Sequence, residues 1–147
     1  MHFKLLMILL TMAALTACGS QDSHHHSETA QVEEVYSIPE MELNNGELWR
    51  ANIETTDDIF AMIELMDAHS DKENTISYNE LAEQLNEAFN GIFRNCTMTG
   101  AAHDQLHNYL YPLNEIMEGL RSADLNICKG AYSDLEQHLG LYFDFFE

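Results

Sequence analysis

The residues with the most chemistry in them sit in one run, Cys96-Thr97-Met98-Thr99-Gly100-Ala101-Ala102-His103-Asp104-Gln105-Leu106-His107. His103 and His107 are four positions apart, so on a helix both rings leave one face and can hold a single ion. Thiolate and thioether are soft donors that suit monovalent copper, while imidazole accepts copper, zinc or nickel. The set Cys96, Met98, His103 and His107 therefore reads first as a copper site. Zinc is the alternative, held by Cys96, His103, His107 and a carboxylate or water, because zinc rarely needs a thioether. Asp104 and Gln105 stand between the histidines, so the pattern is not His-Glu-x-x-His and a metalloprotease lacks its general base. Haem is a weaker option: Cys-x-x-Cys-His is missing, although a bundle can hold a b-type haem between one Met and one His. The competing reading has no ion. Cys96 is then a small hydrophobe, Met98 fills a gap, and the histidines bond to backbone or to acids such as Asp104 and Glu87. Against it stands the cost of burying several polar side chains at one place without a ligand.

Helices must position these groups. The helical period takes over from Trp49 onward, and nothing alternates with period two for long enough to make a strand. A first helix is expected after Thr55 as cap, with Asp57 and Asp58 at the positive end of its dipole. Its apolar stripe is Ile59, Met62, Ile63 and Met66, and it stops in the polar stretch Ser70 to Asn74. A second opens at Ser77 with Glu80 as capping-box partner, and its stripe runs Leu81, Leu85, Ala88, Phe89, Ile92, Cys96. Thr97 to Gly100 break the chain, with Gly100 free to turn. A third spans about Ala101 to Ala123, bent at Pro112, with His103, Leu106, His107, Leu110, Leu113, Met117 and Leu120 on its buried face. A fourth runs from about Leu125 to Phe146, carrying Leu135, His138, Leu139, Tyr142 and Phe146.

Four such helices with short connections predict an all-α, antiparallel four-helix bundle behind a disordered N-terminal tether. The end of the second helix, the starts of the third and first, and the end of the fourth then share one pole. Cys96 lies there, and His138 is expected to approach it as a possible further ligand. Cys128 falls at the other pole. A third helix of about 22 residues is roughly 33 Å long, against the ~7 Å that a disulfide spans between α-carbons, so Cys96 and Cys128 are expected to be free thiols. The C-terminal run Leu141-Tyr142-Phe143-Asp144-Phe145-Phe146 cannot bury every ring on one face. Its outward rings are expected to pack on Trp49 and Tyr36, or else to form an exposed partner surface.

Composition narrows the function classes. The chain has 147 residues, 25 acidic and 6 basic, for a formal charge of −19. Such a chain repels nucleic acid and anionic lipid surfaces, which require clustered Lys and Arg. No Ser-His-Asp ordering, nucleophile elbow or phosphate-cradling glycine loop is present, so the expectation is no enzyme. The segment from Gly19 to about Asn45 is polar and without period, and reads as a linker; His24, His25 and His26 within it are taken as linker residues.

The N-terminus explains what the linker joins. Met1 to Ala17 has one basic residue, Lys4, then an apolar run too short for a bilayer and a small-residue exit, the shape of a secretory signal peptide. Leu15-Thr16-Ala17-Cys18-Gly19 resembles the lipobox of bacterial lipoproteins. That resemblance implies cleavage before Cys18, a diacylglycerol on its sulfur and a further acyl chain on its new amino group. Several chains hold a membrane where one alone binds only marginally. In lipoproteins of this kind an aspartate after the cysteine favours retention at the inner membrane; Gly19 stands there, so the expectation is a periplasm-facing protein of the outer membrane. The body has a looser likeness to small periplasmic helical lipoproteins with a Cys-x-Met and His-x3-His segment. The expected organisation is a signal peptide over 1–17, a lipidated cysteine and tether over 18–45, and a helical domain over 46–147.

Overall fold

The structure is a computed structural model and describes residues 40–147. The expected signal peptide, Cys18, Tyr36 and the tether up to residue 39 lie outside the described residues.

Four helices, α1 (Ile53–Ala68), α2 (Thr75–Asn95), α3 (Gly100–Gly119) and α4 (Leu125–Gly140), are followed by a single turn, α5 (Tyr142–Phe145). Consecutive helices are antiparallel. Asp58 and Asn95 pair the start of α1 with the end of α2, and Tyr132 donates across to the Met66 carbonyl from α4 to the end of α1. The tightest packing lies within the pairs α1–α2 and α3–α4, while α1–α4 and α2–α3 close the ring. The α3–α4 crossing needs a glycine, because a Cβ on Gly119 would come within 2.6 Å of the Ala131 Cβ; at the α1–α2 crossing one on Gly91 would meet the movable carboxylate of Asp58 at 2.7 Å.

The apolar stripes meet in one core. Ile59, Met62, Leu85, Ile92, Leu113 and Leu135 are fully buried in it. Burial of that kind contributes about 1.5–3 kcal/mol for each large apolar side chain. Pro112 sits buried inside an unbroken α3; its missing N–H leaves the Asn108 carbonyl without a helical donor. Among the described residues no helix is long and apolar enough to cross a membrane.

Several boundaries differ from those the sequence suggested. The first helix starts two residues before Thr55, capped at Asn52, and Thr55 is buried with its hydroxyl donating to the Asn52 side chain. The second starts at Thr75 with the Asn74 side chain accepting from the Ile76 N–H, so Ser77 and Glu80 form no capping box. Asn is as good a cap as Ser, and here it precedes the earlier apolar residue. The third helix ends at Gly119 and the fourth at Gly140, with Phe146 beyond α5 in extended backbone.

The tether boundary moves too. Residues 40–45, expected to be flexible, fold back on the bundle: the Glu42 N–H donates to the Gln105 side chain at 2.9 Å, and the Trp49 indole donates to the Glu42 carbonyl at 2.6 Å. Asn45 and Gly46 both take positive φ, 55° and 90°, and close a tight turn between Asn44 and Glu47. Asn-Gly suits that turn because both central residues need the left-handed region. Beyond it Trp49 pairs with Phe146, which ties the start of the described chain to its end. Of the outward aromatics, Phe143 stays 42% exposed and meets Phe60 at 5.3 Å between ring centres.

Candidate metal centre

α2 ends at Asn95, and Cys96 turns the chain into extended backbone while its N–H still bonds the Ile92 carbonyl. Gly100 opens α3 at φ 65°, where a side chain would be strained. The Cys96 peptide is clamped from α1. The Asn52 carboxamide donates to the Asn95 carbonyl at 3.2 Å and accepts from the Thr97 N–H at 3.3 Å, gripping Cys96 on both flanks. Asn52 was not singled out from the sequence. The signal was legible, since Asn directly before an apolar periodic run is a helix cap, but its second role depends on the tertiary fold. Glu54 accepts from the same carboxamide at 2.9 Å, which draws its carboxyl below the ordinary range.

Three of the predicted residues come together as a chain. The Cys96 sulfur lies 3.6 Å from His103 Nδ1, and His103 Nε2 lies 3.0 Å from His107 Nε2. The rings of His103 and His107 meet edge to face at 4.5 Å. Either His103 tautomer satisfies both contacts: the thiol donates to Nδ1 while Nε2–H donates to His107, or Nδ1–H donates to the sulfur while His107 Nε2–H donates to Nε2. Cys96 and His103 are half-buried and His107 is exposed. The helical phase therefore misplaced both histidines as core residues. Phase fixes a direction but not whether a neighbouring helix stands there, and His107 points to the rim of an open groove between α2 and α3, with Phe93 at 6.4 Å.

Cys96 and His107 approach opposite nitrogens of His103, so one ion cannot take all three in this arrangement. Among the described residues no group of three His, Cys, Asp or Glu side chains is disposed to hold a metal ion. Met98 is half-buried in the connection and packs against the core, outside the chain of polar contacts. Of the acids expected as partners, Glu87 is engaged elsewhere, pairing with Arg94 at 2.9 Å.

His138 does not join the pole. It is 3% exposed, stacked on Tyr109 at 5.0 Å, and its Nε2 lies 2.7 Å from the Tyr109 carbonyl, more than a helical turn along α3 from His103. A carbonyl only accepts, so Nε2 carries the proton and donates. Burial pushes the His138 imidazole below its ordinary pKa, partly opposed by that bond. The assignment failed because the residues that do reach the pole, Tyr142 of α5 and Phe146 after it, lie a turn or more beyond His138; the Tyr142 hydroxyl meets Thr56 at 2.8 Å.

Cys96 and Cys128 are both free thiols. Cys128 is fully buried at the opposite pole, donating towards the Leu120 and Ser122 carbonyls at 3.6 and 3.3 Å, and burial raises its pKa. No family model matches the chain, and neither a curated protein nor a solved structure matches it.

Proposed function

We propose that the protein is a lipid-anchored lipoprotein of the bacterial cell envelope, facing the periplasm, whose helical domain binds a soft metal ion through His103 and His107. Copper is the first choice and zinc the alternative. One observation carries the metal reading: the Nε2 atoms of half-buried His103 and exposed His107 lie 3.0 Å apart. Nitrogens bound to one ion at about 2.0–2.1 Å stand roughly 2.9–3.4 Å apart for angles of about 90–110°. The pair thus has a chelate's spacing, while the Cys96 thiol faces the other nitrogen of His103 and would join the same ion only after the His103 ring turns. The second reading is a structural pole without an ion, favoured by the way thiol and rings already satisfy one another.

Titration of the chelator-treated protein distinguishes the two. The metal reading expects one monovalent copper, or else one zinc, bound at micromolar metal, with a rise in melting temperature by mass action. Replacing His103 and His107 together by alanine abolishes both. Undiminished binding by the double variant, or no binding by the parent chain, sinks the metal reading. Retention of affinity in Met98→Leu with its loss in Cys96→Ala assigns zinc rather than copper, since zinc seldom takes a thioether.

The anchor is tested separately. Cys18→Ser is expected to abolish partition into a detergent phase, because the thiol is the acyl acceptor a lipobox offers. A serine variant that partitions like the parent chain refutes the lipoprotein reading.

A further inference from the structure

Away from the histidine pole, α3 and α4 leave between them an open groove of about 680 Å³, within the size range of small-molecule sites. Ile116 of α3, with Ile127 and Ala131 of α4 and Leu141 at its end, forms apolar walls, and Ile127 is left 53% exposed there. We infer that this groove binds a small hydrophobic cation, an amine with an apolar body.

The floor supplies the first reason. His138 lines the groove although it is only 3% exposed. Its Nε2–H is engaged by the Tyr109 carbonyl, which leaves Nδ1 as an acceptor. No described residue bonds to Nδ1. Among the described residues the only unpaired side-chain nitrogen or oxygen sealed from solvent is His69 Nε2, so His138 Nδ1 is reached through the groove. An acceptor so nearly buried and without a partner carries a desolvation cost that an N–H donor removes.

The rim carries charge of one sign. Glu115 and Asp134 line it, and no Lys or Arg does. The Gln137 amide, the one other polar side chain there, donates back to Ser133. Asp134 and His138 stand one turn apart on α4, so a single ammonium can donate to the carboxylate and to Nδ1 together. A carboxylate or phosphate would meet repulsion from both acids, in a chain whose formal charge is already −19. The same side chains are not disposed to hold a metal ion.

Gly130 keeps the groove clear. Glycine inside a helix is less favourable than alanine, so its presence needs a reason. At Gly119 the reason is the close approach of Ala131, whereas a Cβ on Gly130 would meet nothing within 4 Å. Nor does Gly130 take a positive φ. The absent side chain leaves room for an occupant.

The inference goes beyond metal binding and does not depend on it, since neither His103 nor His107 lines the groove. Full-length protein in non-ionic detergent and chelator is titrated with para-trifluoromethyl phenethylamine and followed by fluorine NMR, with detergent alone as the blank. One equivalent should bind saturably. The alcohol of the same shape should bind about tenfold more weakly, and the corresponding carboxylate should not bind. Gly130→Leu fills the groove and should abolish binding, with a melting temperature no lower than that of the parent chain. Asp134→Asn should weaken the amine about fivefold and leave the alcohol unchanged. No saturable binding by the parent chain, undiminished binding by Gly130→Leu, or equal affinity for amine and alcohol overturns the inference. Self-association of the parent chain that Gly130→Leu removes would give the groove to a second copy, and overturns it as well.

Discussion

Replacing Tyr109 by alanine is expected to destabilise the domain by about 3–5 kcal/mol, the range for deleting a large buried aromatic side chain. Tyr109 is fully buried on α3 and packs against three rings from the end of the chain: His138 at 5.0 Å, Tyr142 at 5.4 Å and Phe146 at 6.1 Å. Removing the ring opens a cavity that those three cannot fill without leaving their own rotamers. Its hydroxyl contributes little, because the bond to the Leu139 carbonyl is long at 3.4 Å. Tyr109→Phe should therefore cost about 1 kcal/mol or less. Urea unfolding of the three proteins checks both values, and equal losses in the two variants would mean that the hydroxyl, not the packing, carries the effect.

The second large effect follows from His138. Its folded pKa lies below the ordinary value of about 6.5 because burial disfavours the charged ring. The folded state therefore binds fewer protons than the unfolded state once the pH drops below about 6.5, and stability rises with pH through that window. Below it the domain should lose about 1.4 kcal/mol per pH unit from this group until the folded pKa is reached. His69 adds to the same trend. Its ring lies between Tyr78 and Tyr132, its buried Nε2 has no partner, and desolvation, with Lys72 nearby, lowers its pKa. His138→Gln keeps a donor for the Tyr109 carbonyl and removes the titration, so melting temperature against pH should be flatter for the variant between pH 6.5 and 5. Parallel curves for the two proteins would assign the acid sensitivity elsewhere.

These two side chains also show where the sequence could be read and where it could not. Ile59, Met62 and Met66, or Leu106, Leu110, Leu113 and Met117, keep helical spacing and all are buried. The period gave four antiparallel helices because each stripe is continuous. It failed for His103 and His107, whose spacing matches the stripe while their surroundings do not. It failed for His138 as a ligand, since the register of α4 along α3 is set by the close approach of Gly119 and Ala131, which no pattern within one helix reveals. The Cys96–His103–His107 cluster was legible as a neighbourhood. The direction of each ring, which decides that Cys96 and His107 take opposite nitrogens of His103, was not.

The pairing of Trp49 with Phe146 has a consequence for the order in which the chain folds. The α1–α2 and α3–α4 hairpins are built from contacts between neighbours in sequence, which form early because little chain must be closed to make them. The bonds from Trp49 to Phe145 and Glu147, and from Ala51 to Glu147, close a loop of nearly the whole domain. That closure meets the largest entropy cost and is repaid only when both hairpins stand in place. The grip of Asn52 on the Cys96 peptide belongs to the α1–α2 hairpin and is expected to form with it, ahead of that closure. Both thiols are therefore expected to be set within their own hairpins, Cys96 by α1–α2 and Cys128 by α3–α4, before the two ends of the domain are tied together.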